Sequence, residues 1–167
     1  MKSFSRPAYR INNASVDVKL IYTFFLIFLI VGFATVGGFE FQKIGFSVQS
    51  VSAHYLGASG EGMSFPRSFQ ALLETTHFHS FIMGIIYLTL AHLFIATDLS
   101  SVWKKTVIVV GFLSTFLDLI LPWGIRYLSP VFSGLLLVAW CLEWLSYMTM
   151  ILCSLHALWL KPRTMTD

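Results

Sequence analysis

Four runs of apolar residues, Leu20–Gly38, His77–Thr97, Thr106–Trp123 and Val131–Leu160, set the terms for any fold of this chain. Each reaches or approaches the roughly 20 residues that a helix needs to cross about 30 Å of hydrocarbon. Inside a bilayer no water satisfies the backbone, so runs of this length must satisfy their N–H and C=O groups within themselves, as helices. The expected fold class is therefore all-α: a polytopic membrane protein built as a four-transmembrane-helix bundle. A single membrane domain covers 1–167, with helices at 20–38, 71–97, 106–123 and 131–160 and an outer loop at 39–70.

Composition excludes the soluble alternative. The chain is 56% hydrophobic and 11% charged with a mean hydropathy of +0.75, whereas a soluble domain carries about 25% charged residues. The first run follows 19 residues, exceeds the usual ~7–15-residue core of a signal peptide and lacks a clean small-x-small cleavage site, so it is expected to stay as a helix. Cys141 and Cys153 fall on one expected helix, roughly 18 Å apart, too far to bridge.

The net charge of +3 is explained by topology rather than by nucleic acid. Lys2, Arg6, Arg10, Lys19, Lys104, Lys105, Lys161 and Arg163 fall on one side of the expected bundle, against Lys43, Arg67 and Arg126 on the other. The excess of basic residues in cytoplasmic segments then places both termini in the cytoplasm, in a membrane such as the bacterial inner membrane. The loop carries Gly57, Gly60, Gly62 and Pro66 as turn formers. A short interfacial helix is expected around Phe46–Leu56, with Val48, Val51 and Tyr55 on its apolar side.

Ionisable residues at membrane depth carry the functional signal, because each costs a few kcal/mol to insert and needs a partner or a purpose. The second run holds Glu74, His77, His79, Met83 and His92; the third holds Asp118; the fourth holds Glu143 and His156. His92 lies six residues before Asp98 and His156 five before Lys161. On helices running in the same direction, that gives the two imidazoles nearly equal depth. At about 100° per residue, His77 and His92 differ by only about 60° around the helix, and Glu74 returns to the same face. Phe78, Phe81, Ile85 and Leu88 fill this face, and Val138, Leu142, Leu145, Thr149 and Leu152 the face above His156.

Two imidazoles projecting across an apolar slot are what bis-histidine haem ligation needs. Gly111, at the same depth, leaves room for a porphyrin edge. In this spacing of His77, His92 and His156 the chain resembles the membrane b-type cytochromes built on four-helix bundles. The resemblance implies haem b held by His92 and His156, with His77 as a ligand of an outer haem. It departs where helix 131–160 has Leu142 in place of a second histidine. His54 from the loop would have to stand opposite His77.

The outer cluster admits a different chemistry. His77 and His79 lie about 200° apart on a regular helix, but an extended His77-Phe78-His79 brings both to one ion. With Met83 such a site suits copper; Glu74 with His77 is half of a carboxylate-bridged di-iron pattern, whose second half is missing. Otherwise the two histidines are interfacial residues resting among headgroups. Glu143 is expected as a hydrogen-bonding acid about 140° from the His156 face, with Tyr87 and Thr89 as candidate partners. Asp118, in a stripe with Gly111, Ser114 and Thr115, serves either a quinone headgroup or proton relay, or a contact between helices.

Three readings follow: a small b-type cytochrome-like electron-transfer subunit, a copper- or iron-binding membrane protein, and a structural subunit without cofactor. Lipid, a quinone and other subunits of a membrane redox complex are the expected partners. With no phosphate-binding loop, HExxH motif or nucleophile–base pair, an accessory subunit is expected rather than an independent enzyme.

Overall fold

The computed structural model describes residues 10–58 and 64–160. It is a bundle of α-helices: α1 (Val16–Lys43), α2 (Val48–Leu56), α3 (Phe69–Ile95), α4 (Ser101–Tyr127) and α5 (Phe132–Trp159), preceded by one 3-10 turn at Ile11–Asn13. Four of them, of 27 or 28 residues, are long and apolar enough to cross a membrane. No strand occurs among the described residues, apart from an isolated bridge between Ala58 and Ser64. The expected four-helix membrane bundle is the observed fold.

α1 and α4 outrun the apolar cores read from sequence at both ends, and α3 at its start, because polar residues take over there, whereas α3 stops at Ile95 and α5 keeps within 131–160. Ser68 and Ser100 cap α3 and α4, their hydroxyls accepting from the N–H groups of Ala71 and Trp103. The α1 helix runs five residues past Gly38, to Lys43, and stops where Gly45 takes φ +79°, its N–H and that of Ile44 both donating to the Glu40 carbonyl. The interfacial helix exists as α2, started by a reciprocal Ser47/Ser50 capping box. Val51 and Tyr55 are buried as expected, whereas Val48 is exposed. Gly57, at φ +85°, ends it where an added Cβ would sit 2.6 Å from the Ser64 carbonyl oxygen.

α4 and α5 form the tightest pair, a hairpin that α3 joins from one side. Small residues permit the approach: a Cβ on Gly111 would lie 3.2 Å from the Ser146 Cβ and 3.3 Å from the Tyr87 ring. Gly111 thus seats α4 against α5 and α3, and the porphyrin space expected there is filled by Tyr87, Ser146 and Met150. α1 is the peripheral helix, packing on α5 through Leu26 and Phe33. α2 lies across one end of the bundle, on α4 and α5. The 3-10 turn closes the opposite end: Ile11 N–H donates to the Ala96 carbonyl and Arg10 pairs with Asp98 at 2.8 Å.

Candidate functional site

The inward face of α3 is Leu90, Ala91 and Phe94, and His92, about 200° from Leu90, points away from the bundle. His156 likewise lies on the outward side of α5. The two walls expected to face each other are both lipid-facing: Phe78, Phe81, Ile85 and Leu88 are 58–66% exposed, and Val138, Leu145 and Leu152 55–66%. His92 and His156 therefore do not share a slot within the chain. His156 borders a shallow cavity with Thr97, Asp98 and Cys153, in which His92 has no part. The His92 Nδ1 is 2.9 Å from the Leu88 carbonyl, one turn back on its own helix.

The outer cluster also separates. α3 is helical from Phe69, so the extended His77-Phe78-His79 that one ion would need is absent. Glu74 accepts from Gln70 at 2.9 Å, and His77 rests against the Phe78 and Phe81 rings. His79 and Met83, one turn apart, face a different way, into a pocket. No group of three or more His, Cys, Asp or Glu side chains poised for a metal occurs among the described residues. Nor does His54 stand opposite His77: it accepts from the Arg67 guanidinium, at 3.1 Å from Nε and 3.0 Å from an Nη.

Two adjoining cavities are what the fold builds instead. The larger, about 490 Å³, lies between α1, α3 and α5. Its lower walls are Phe25, Phe28, Leu29, Ile82 and Ile86; Glu40, His79, Glu143 and Tyr147 bring the polar groups. Phe28, Phe78 and Ile82 on its rim are more than half exposed, and α1 packs on α5 rather than on α3. The pocket therefore opens sideways between α1 and α3, toward lipid.

The second cavity, about 310 Å³, continues from the first toward α2, sharing Val36, Glu40, His79 and Trp140 with it. Its lining brings together the polar side chains of Lys43, His54, Arg67, Thr75, Thr76 and Asp118 with apolar neighbours. Its roof is tied down by three bonds: Arg67 N–H to the Tyr55 carbonyl, Arg126 Nε to the Arg67 carbonyl and the Trp123 indole to the Thr76 hydroxyl. Burial, then the charges of Arg67 and Lys43, push the His54 imidazole down from 6.5 to about 4. It stands neutral as an acceptor for Arg67.

Glu143 has partners other than those expected, whereas Asp118 makes a contact between helices, one of its two expected roles. Glu143 Oε1 is 3.2 Å from the Thr115 hydroxyl, which also lies 2.8 Å from the Tyr147 hydroxyl and from the Gly111 carbonyl. Tyr87 is spent elsewhere, donating to the Ile108 carbonyl, and Thr89 donates to Ile85. Asp118 accepts the Trp140 indole N–H at 2.6 Å. Pro122, one turn on, has no N–H to give to the Asp118 carbonyl, so the helical ladder is interrupted at the residue that carries the acid. Glu40 was missed by the sequence reading, which ended the first helix at Gly38; the five-residue extension that carries α1 to Lys43 brings a carboxyl group to the junction of the cavities.

A family model described as a transmembrane helical domain, Aq_1264_TM, matches residues 45–165, which include α2 to α5. No curated protein and no solved structure matches the chain.

Proposed function

We propose, for a chain that belongs to the Aq_1264_TM family of transmembrane helical domains, that it is a small accessory or electron-transfer subunit of a membrane redox system. In this reading it binds a lipid-soluble carrier of the quinone class. One observation carries the proposal: a lipid-facing apolar pocket of about 490 Å³ whose hydrogen-bonding groups come from three helices, Glu40 from α1, His79 from α3 and Glu143 with Tyr147 from α5. Its size is that of small-molecule sites, which are mostly apolar with a few placed polar groups. A quinone has the matching chemistry, with a flat ring bearing two acceptor oxygens and an apolar tail that enters from the bilayer. With its Nδ1 2.8 Å from the Thr75 carbonyl, His79 holds that nitrogen as the donor and leaves Nε2 for a ligand.

The distribution of basic residues supports cytoplasmic termini and an α2 face turned outward. A reporter after Asp167 and one inserted near Gly60 should then report opposite sides.

Binding is tested with a short-tailed quinone and the purified full chain in nanodiscs, reading tryptophan fluorescence, since Trp140 and Trp144 form pocket wall. Saturable quenching that is lost in His79→Ala supports the reading. Quenching that only rises in proportion to quinone, as for partition into lipid, overturns it.

A haem reading keeps one observation in its favour: His77 and His92 both stand on the exposed side of α3, where an imidazole in lipid is costly without a partner. A b-type cytochrome would need its opposing ligands from a second chain. A reduced-minus-oxidised absorption spectrum of protein purified with its native partners distinguishes it, through haem bands that vanish in His92→Ala.

A further inference from the structure

We propose that the pocket exchanges protons and water with one side of the membrane only, through the chamber beneath α2, and is sealed toward the opposite face. The inference deepens the reading of the same pocket and rests on it for the role of Glu143 as the group that trades protons with a ligand.

Three features carry it. First, the chamber and the pocket share Glu40 and His79, so a proton passing from one to the other meets a carboxyl group and an imidazole at the junction. The chamber's 310 Å³ far exceeds what one water needs, and its Thr75, Thr76 and Asp118 side chains supply the polar partners that hold water in place.

Second, the bundle beyond the pocket is dry in the other direction. Leu26, Leu90, Phe94, Met150, Ile151 and Leu158 are all 0% exposed and fill the cross-section toward the 3-10 turn. The cavity at that end, beside His156, shares no lining residue with the pocket. The Ser154 hydroxyl is buried in this layer without a hydrogen-bond partner, so among the described residues it is not joined to Glu143 as a relay.

Third, Lys43 and Arg67 both border the chamber. Fixed positive charges bordering it oppose the entry of metal cations while leaving hydrogen-bonded proton transfer open. The two cavities together are therefore a one-sided proton inlet, with lipid access at the side and water access at the α2 end.

The test reads water access and not ligand binding, so it can fail while the quinone reading stands, and the reverse. In a background with Cys141→Ser and Cys153→Ser, the full chain in sealed vesicles carries a single cysteine at Glu143→Cys or, as a milder change lining both cavities, at Val36→Cys. Ser52→Cys on α2 and Ser101→Cys at the start of α4 mark the two sides. A membrane-impermeant thiol reagent is applied from each side in turn. The expected result is that both pocket cysteines are modified from the Ser52 side and protected from the Ser101 side. Modification from the Ser101 side, from both sides, or of neither pocket cysteine overturns the proposal.

Discussion

The Trp140 indole N–H donates to Asp118 Oδ1 at 2.6 Å, joining α5 to α4 at the floor of the chamber beneath α2. The bond fixes an aromatic wall of the pocket and satisfies an acid that bilayer burial would otherwise penalise. Trp140→Phe keeps most of the packing but deletes the donor, and should destabilise the bundle by about 1–3 kcal/mol. Asp118→Asn, still an acceptor, should cost less. Thermal unfolding of both variants in one detergent checks the order; an equal loss would mean that Trp140 acts through packing alone.

Close approach at Gly111 predicts a position-specific steric effect. Gly111→Leu drives a side chain into Ser146 and Tyr87, whereas at Gly84 an added Cβ meets nothing within 4 Å. Overpacking at Gly111 should cost about 1–3 kcal/mol. Gly84→Leu, which adds an apolar group on the lipid side, should be near neutral. Melting temperatures of the two variants make the comparison, and similar losses would relocate the tight α4–α5 contact.

The neutral His54 makes stability depend on pH. Its folded pKa of about 4 lies below the ordinary 6.5, so the unfolded chain binds the proton more readily and stability rises with pH. The full contribution is present above about 6.5 and is lost progressively as pH falls toward about 4. His54→Gln retains an acceptor for Arg67 without the titration and should flatten this part of the profile. A variant whose melting temperature falls as steeply as that of the wild type between those pH values would place the sensitivity in another group.

Outward-facing His92 and His156 should behave independently. Neither lies in the core and they border no common cavity, so the stability effects of His92→Ala and His156→Ala should add within about 0.5 kcal/mol. A strong coupling in the double variant, or loss of one shared cofactor spectrum from either single variant, would restore the slot between α3 and α5 that the spacing of these residues suggested.

The reason that expectation went astray is physical. Number and length of helices are readable because a bilayer demands long apolar runs, and all four spans are where the runs lie. Rotation about each axis is not, because on α3 the lipid-facing Phe81 and Ile85 are as apolar as the buried Leu90 and Phe94. Depth and spacing could align His92 with His156 but could not say which way either pointed. Residues that do report the inward side are the small and hydroxylic ones: Gly111, Ser114 and Thr115 on α4 and Ser146 on α5 are all buried, and they flank the acid that the sequence did separate from the His156 face, Glu143. Glu40 escaped notice because a carboxyl next to a loop resembles any helix end. Its place at the pocket depends on α2 and α3 folding over it, which no local pattern records.

Glu143 allows the functional and structural roles to be told apart. Its carboxyl group lies 3.2 Å from Thr115, but the Thr115 hydroxyl already has the Gly111 carbonyl and the Tyr147 hydroxyl at 2.8 Å. Removing the acid leaves those groups satisfied, so the fold loses little. Glu143→Gln keeps an acceptor and Glu143→Leu keeps the approximate volume, and both should accumulate in the membrane and melt within about 1 kcal/mol of wild type. Affinity for a short-tailed quinone should separate them. Leu takes one hydrogen-bonding group from the pocket and should weaken binding about tenfold, the equivalent of a hydrogen bond worth about 1.4 kcal/mol, while Gln weakens it less. If the Leu variant fails to fold, Glu143 is a stitch between α4 and α5 instead. If it folds and binds as wild type does, the polar end of the pocket is not where the ligand is held.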